Sequence, residues 1–467
     1  MGSLFWQECW QTSVPGRLTG MIQAWGTGSW LVPWLEPLGL LLVMLYWGLS
    51  SQAGTGSLGL ILLGVAAVVG AIWLTQPPVA PLLTGQGILL LYWGVATLAT
   101  LVSPVRVAAL DGWIKLTLYL LGFVLLHRLL QRPFYRHAIV GSLLLVSLGM
   151  AVVGWRQYFF GAAELATWVD PESGLTGVTR VYSTLLNPNL YGGFLVPLIP
   201  LGLAAVWQWR GWGLKVLAAG ITLMNTVCIV LTLSRGAWVG LAAALVVMVV
   251  LLLQWMQPQF PVRWRRWVLP LVLGGGLAVL ALGILTVEPL RLRVLSLFAG
   301  RNDSSNNFRI NVWLASWRML QDFPWLGIGP GNRAFNRVYP LYQDPLYSAL
   351  GAYSVPLEMA LEVGIPGMLL YFVGLVGWLL VKGWRAWRWC LAQRQSQGLW
   401  LAASLAALVG MVVHGLVDTV WYRPQIQMLW WLHVAMITAF WADLRLWALP
   451  RTTPTSDHHI SENPNGG

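Results

Sequence analysis

The sequence predicts an all-α polytopic membrane protein with about twelve transmembrane helices. Three observations carry that expectation. Of 467 residues, 57% are hydrophobic and 9% charged, against about 25% charged in soluble domains, and the mean hydropathy is +0.66. Apolar windows long enough to cross about 30 Å of hydrocarbon recur along nearly the whole chain. The basic residues sit in short gaps between these windows rather than in one patch, so the net charge of +12 and pI of 10.0 reflect membrane topology and exclude a nucleic-acid partner.

In chain order the windows fall near 34–50, 58–75, 85–103, 112–130, 137–155, 190–207, 214–233, 236–254, 267–287, 364–382, 400–420 and 424–441. The segment 1–33 precedes them. Its opening, MGSLFWQECWQTSVPGRLTG, lacks a basic n-region and a short apolar h-region with a small-residue cleavage site, so the first span is expected to act as an uncleaved anchor. The chain then reads as nine spans over 34–287, one large extracytoplasmic loop over 288–363, three spans over 364–442 and a polar tail over 443–467. That tail, ending in PRTTPTSDHHISENPNGG, has the composition of a disordered segment. The tight gap SRG at 234–236 is expected to break a run too long for one crossing.

Short loops set orientation through their lysines and arginines. Arg128, Arg132, Arg136, Arg210, Lys215, Arg263, Arg265, Arg266, Lys382, Arg385, Arg388 and Arg394 fall in loops assigned inside. Arg106, Lys115, Arg156, Arg180, Arg235 and Arg423 fall in those assigned outside. The imbalance places both termini in the cytoplasm; a multi-pass place in the plasma (inner) membrane is the accompanying expectation. Within the large loop, NNFRINVWLASWRML puts Ile310, Trp313, Trp317 and Leu320 on one helical face, the pattern of a surface-lying amphipathic helix.

Under this topology the unusual polar residues gather on the outer side. Asn187 and Asn189 flank Pro188, a turn and helix start. Arg235 stands at a bundle end, where a guanidinium could snorkel or grip a phosphate or carboxylate bidentately. Glu358 and Glu362 lie one helical turn apart; both ionised, they would repel unless an arginine or cation lay between them. A polar pocket completed by Arg235 is the functional reading of that pair. His414 and Asp418, spaced i,i+4, would share a helix face, and an imidazole oriented by a carboxylate within a span is costly unless used. Arg423 follows in WYRPQ, and Arg309 completes the candidate anion-binding residues.

No metal or cofactor is expected. Cys9, Cys228 and Cys390 lack metal-type spacing. GIGPGNRAF at 327–335 has the glycines of a phosphate cradle, but no strand precedes it, and it reads as a turn. The 31 tryptophans, as in WRAWRW at 384–389, fit interfacial anchoring.

TLSRGAWVGLA at 232–242, FRINVWLASWRMLQDFPWLGIGPGNRAF at 308–335 and YSVPLEMALEVGIPG at 353–367 resemble the O-antigen ligase and polymerase superfamily (the Wzy and WaaL type), over about 220–380. The family ligases carry H-[NSQ]-x(9)-G-x-x-[GTV]; here the frame holds Tyr353, Ser354, Gly364 and Gly367, with tyrosine at the histidine position. In that family the histidine is taken to help move a glycan from a lipid-pyrophosphate carrier to a sugar hydroxyl while arginines hold the pyrophosphate. A phenol of pKa about 10 is a poor base near neutrality, so the substitution argues against ordinary ligase chemistry. SALGAYSVPLEMALEVGIPG and HGLVDTVWYRPQIQMLWW resemble the cyanobacterial IctB branch, described as bicarbonate or inorganic-carbon transporters.

Three functions therefore stand at this point: binding and transport of a small anion such as bicarbonate at the outer polar cluster, glycan transfer from a lipid-pyrophosphate carrier, or a non-catalytic membrane subunit. Tyr353, Glu358, Glu362, His414 and Asp418 are the candidate catalytic residues. Arg235, Arg309, Arg423, Asn187 and Asn189 are the candidate anion ligands.

Overall fold

The computed structural model describes residues 14–50, 52–76, 84–162 and 180–448. The tail beyond 448 and Cys9 lie outside them. The first half of the described chain forms α1 (Val14–Gly28), α2 (Leu35–Ser50), α3 (Thr55–Thr75), α4 (Thr84–Val102), α5 (Arg106–Leu129), α6 (Pro133–Phe160), α7 (Pro188–Leu195), α8 (Leu198–Gln208) and α9 (Trp212–Leu231). The second forms α10 (Arg235–Met256), α11 (Arg265–Thr286), α12 (Glu288–Leu295), α13 (Ser304–Asp322), α14 (Asn332–Val338), α15 (Val355–Leu369), α16 (Gly377–Ala392), α17 (Gly398–Gly415) and α18 (Pro424–Ala448). No strand occurs among the described residues.

Among the described residues ten helices are long and apolar enough to cross a membrane, and α4 and α18 occupy the two remaining expected windows. One expected span is broken: 188–208 runs as α7 and α8, interrupted at Val196–Pro197, because proline cannot donate to the helical ladder. Another starts earlier than expected. α15 opens at Val355 and joins α16 through a π-helical stretch, Leu370–Val376, so Glu358 stands in the first turn of this helix and Glu362 in the next.

Burial separates centre from rim. In α17, 83% of the span window is buried, in α7–α8 likewise, and in α11 none. α17 reads GLWLAASLAALVGMVVHG, apolar all round and rich in small residues, which is what a central membrane helix needs for close approach to its neighbours. α10 uses that property: a Cβ added at Gly240 would lie 2.8 Å from the Gly410 carbonyl oxygen and 2.9 Å from His414 Cβ.

Helix ends alternate between two faces. One face carries Glu36 paired with Arg128 (2.9 Å) and Arg132 (2.8 Å), and Arg136 with Asp443 (3.1 Å). The other carries the starts of α7, α10, α15 and α18, the ends of α9 and α17, and the segment 288–354. These are called the far end and the loop end below.

At the loop end, Val312, Ala315, Met319 and Leu320 of α13 pack with Ile328, Ala334, Phe335 and Tyr339 into a second, smaller core. The expected face of this helix is thereby corrected. The buried stripe runs 312, 315, 316, 319, 320, whereas Trp317 is 55% exposed. The bulky aromatic residues suggested the wrong stripe, because the helix packs on protein through its small residues.

Candidate functional site

The turn between α9 and α10 organises the loop end. Thr232, Leu233 and Ser234 leave the helical path, with Leu233 at φ +52°, and Ser234 caps α10 by accepting from Ala237 N. A turn of this kind frees backbone carbonyls that must find donors. Thr232 O accepts from Arg180 Nε at 3.0 Å and Leu233 O from Arg293 Nε at 2.9 Å. Arg235, the first residue of α10, reaches Asp303 Oδ1 (2.8 Å), Ser296 Oγ (2.8 Å) and Ser296 O (3.0 Å). One turn therefore draws three guanidinium groups together.

A fourth joins from α13. Arg309 Nη2 lies 3.5 Å from Asp418 Oδ2, and its buried Nε has no hydrogen-bond partner. Burial, then the charges of Arg293, Arg309 and Arg235, push the Arg180 guanidinium down to about 9. Burial, then Arg235, pushes Arg293 down to about 10. Arg180 and Arg293 therefore stay charged at neutral pH, and the clustered guanidinium groups repel one another. Burial pushes the Asp418 carboxyl up against the opposing pull of Arg309. Among the described residues, the acids paired within this group are Asp303 and Asp418, so it has the charge pattern of an anion site.

The glutamates form a second group. Glu358 Oε2 accepts from Ala352 N, and Glu362 Oε1 from Gly331 N at 2.7 Å. Their helix is kinked at Gly364, φ +76°, where an added Cβ would come 2.0 Å from Trp325 O. The carbonyls of Leu361 and Glu362 accept instead from Ile328 N and Gly329 N. The GIGPGNRAF turn is thus strapped onto α15. Beside it lies a cavity of about 150 Å³ lined by both glutamates, Lys115, Asn332, Tyr92, Tyr371, Trp421 and Trp431.

Tyr353 stands where the two groups meet. Its backbone, at φ +50°, donates from N to Thr419 Oγ1 at 3.2 Å, and its ring packs edge-on against Phe308. Burial, then Asp418, raises its phenol above the ordinary range. Thr419 also lines the glutamate cavity, so the cavity and the arginine cluster share this wall.

The remaining candidates divide. Asn187 Oδ1 accepts from Asn189 N (2.8 Å) and Leu190 N (3.3 Å) as a helix cap. Asn189 Oδ1 accepts from Arg180 at 3.2 Å and so belongs to the arginine cluster. Arg423 is exposed over the Tyr422 ring, 5.4 Å from its centroid. His414 is buried against Gly193, Gly236 and Gly240, with Nε2 unpartnered. It does not share a helix face with Asp418, since α17 stops at Gly415 and Asp418 lies in the turn beyond. Arg235 turns to Asp303 and Ser296, and the glutamates take backbone N–H groups. Sequence reasoning missed Arg293 and Asp303 as site residues and counted Arg180 only for topology; the one local signal was the charge-rich EPLRLRVL.

Residues 219–372 match the family model Wzy_C, O-antigen ligase, over about a third of the chain. The match takes in Arg235, Arg293, Asp303, Arg309, Tyr353, Glu358 and Glu362, and leaves out Arg180, His414, Asp418 and Arg423. No curated protein matches the chain. With ten helices among the described residues able to cross a membrane, the chain is a multi-pass membrane protein in which an O-antigen ligase-like region supplies three arginines of the cluster and both glutamates of the cavity, while much of the cavity wall comes from outside that region.

Proposed function

We propose that the chain transfers a glycan from a lipid-diphosphate carrier to a hydroxyl acceptor at the loop end. The observation that carries this is the placing of two unlike groups on either side of Tyr353 and Thr419: clustered guanidinium groups on one side, carboxylates in an aromatic cavity on the other. A diphosphate suits the first. Arg309 Nε is buried without a partner, and Arg293 uses its Nε on a carbonyl. A hydroxyl-bearing acceptor suits the second. Carboxylates accept from hydroxyls, the unpartnered indole N–H groups of Trp421 and Trp431 can donate to them, and ring faces favour sugar C–H surfaces.

In this reading Glu358 takes the proton of the acceptor hydroxyl as its oxygen attacks the anomeric carbon. The bond from that carbon to the diphosphate breaks, and the arginines hold the charge left on the departing diphosphate. Tyr353 then has no need to act as base. A raised phenol is a worse base than a free one, and its place at the wall fits positioning.

Transport of a small anion such as bicarbonate is the second reading, favoured by the unpartnered, buried His414 beneath the cluster. It requires α10 and α17 to part, and they are packed through Gly236, Gly240 and Gly410. The deciding experiment uses the purified chain in sealed vesicles, with a lipid-diphosphate glycan and a sugar acceptor in one arm and labelled bicarbonate in the other. Product formation lost in Glu358→Gln, with donor binding retained, supports transfer. Saturable bicarbonate uptake without product overturns it. Neither activity in well-folded protein leaves the non-catalytic subunit.

A further inference from the structure

The far end holds a groove that the proposed reaction does not use. It measures about 990 Å³ and runs between α6, the α8–α9 connection and the loop before α17. At about 30 Å³ per water this is room for about thirty waters, far more than a simple ion requires.

Its lining combines cationic, amide and apolar side chains. Arg210 is exposed and Lys215 half-buried, and neither has an ion-pair partner among the described residues. Leu145, Leu214 and Leu217 give the groove an apolar side, and these leucines are 57%, 50% and 40% exposed, facing whatever surrounds the bundle. An amide network completes the lining. Gln397 Nε2 donates to Gln208 Oε1 at 3.2 Å and stands 3.5 Å from His137 Nε2, leaving Gln397 Oε1 buried without a donor.

Each part of the lining selects a part of one molecule. The two cations call for a phosphate. The orphaned amide oxygen calls for a hydroxyl or amine donor, because a buried acceptor without a donor is costly. The leucine wall calls for acyl chain, which a free phosphate ester lacks. Trp207 and Trp212, 40% and 80% exposed, fit interfacial anchoring.

We infer that this groove binds one anionic glycerophospholipid whose headgroup carries a hydroxyl: phosphate on Arg210 and Lys215, headgroup hydroxyl on Gln397 Oε1, and chains along the Leu145–Leu214–Leu217 wall. The site is independent of the reaction at the loop end, and its far-end position makes the lipid a component of a single leaflet.

The test is native mass spectrometry of the full chain released from detergent. Probes are phosphatidylglycerol, phosphatidic acid, phosphatidylcholine and glycerol 3-phosphate. The expected result is one retained phosphatidylglycerol, with retention cut at least tenfold in the Arg210→Ala/Lys215→Ala variant and in the groove-filling Leu214→Trp variant. Gln397→Leu should lower phosphatidylglycerol retention to the phosphatidic acid level. Thermal unfolding of each variant, matched to the unaltered chain, confirms that the fold is retained. Equal retention of phosphatidylcholine, or unchanged phosphatidylglycerol in the double variant, overturns the proposal. Glycerol 3-phosphate binding as tightly as the lipid overturns it in favour of a soluble phosphate site.

Discussion

Arg235 Nη2 lies 2.8 Å from Asp303 Oδ1 across 68 residues of sequence, and both side chains are largely buried, at 4% and 14% exposure. The pair ties the start of α10 to the cap of α13, since the same Asp303 oxygen accepts from Asn306 N. It holds the large loop against the bundle.

Breaking this pair from one side should be costly. Arg235→Ala leaves Asp303 buried and uncompensated, and the expected destabilisation is about 3–5 kcal/mol. Thermal unfolding in detergent checks this, and Arg235→Ala/Asp303→Ala should recover part of the loss. Additive single effects would show that the two residues do not act as a unit.

Arg293 and Arg309 should behave differently. Arg309 has a long contact to Asp418 and a buried Nε with no partner, so Arg309→Ala removes a weaker pair than Arg235→Ala, though it too leaves a buried carboxylate without its cation. Each lost charge-assisted hydrogen bond is worth about 1.5–3 kcal/mol, or roughly ten- to over a hundredfold in affinity for a lipid diphosphate. Titration of a soluble diphosphate analogue into the variants measures this, and unchanged affinity in both would remove the cluster from the site.

Asp418 sets a pH dependence. Burial raises its carboxyl in the fold, so between the ordinary carboxylate value and the raised one the folded state holds more protons than the unfolded chain. Stability therefore falls as pH rises through that window. Protonation also releases Arg309. Affinity for a diphosphate analogue is expected to rise as pH falls through the window, and Asp418→Asn should raise affinity at neutral pH and flatten the profile. A steeper profile in Asp418→Asn would contradict this.

The α10–α17 seam predicts a contrast between two glycines. Gly240→Ala places a methyl 2.8 Å from the Gly410 carbonyl oxygen and should cost about 1–3 kcal/mol through overpacking. Gly274 on α11 has no atom within 4 Å of an added Cβ. Gly274→Ala is expected to be neutral or to stabilise by up to about 1 kcal/mol. Parallel unfolding of the two variants tests the seam, and equal midpoints would argue against close packing there.

What the sequence determined by itself was the alternation of apolar windows with basic gaps. Each window must satisfy its backbone internally in lipid, so span existence and type follow from local composition, and all twelve windows coincide with helices. It also marked Arg235, Glu358 and Glu362 as unusual, because polar groups at bundle ends are rare enough to be noticed one at a time, while Tyr353 stood out only through the family resemblance. Tertiary structure alone decided which of them meet. Arg180 and Arg293 join Arg235 because a three-residue turn frees two carbonyls that only distant guanidiniums reach. Glu358 and Glu362 are drawn away to the backbone N–H groups of Ala352 and Gly331. Helical period placed His414 and Asp418 on one face, and the end of α17 at Gly415 separated them. Local composition determines which segments leave water; partners for charges are settled by which buried backbone groups remain unsatisfied once the helices have packed.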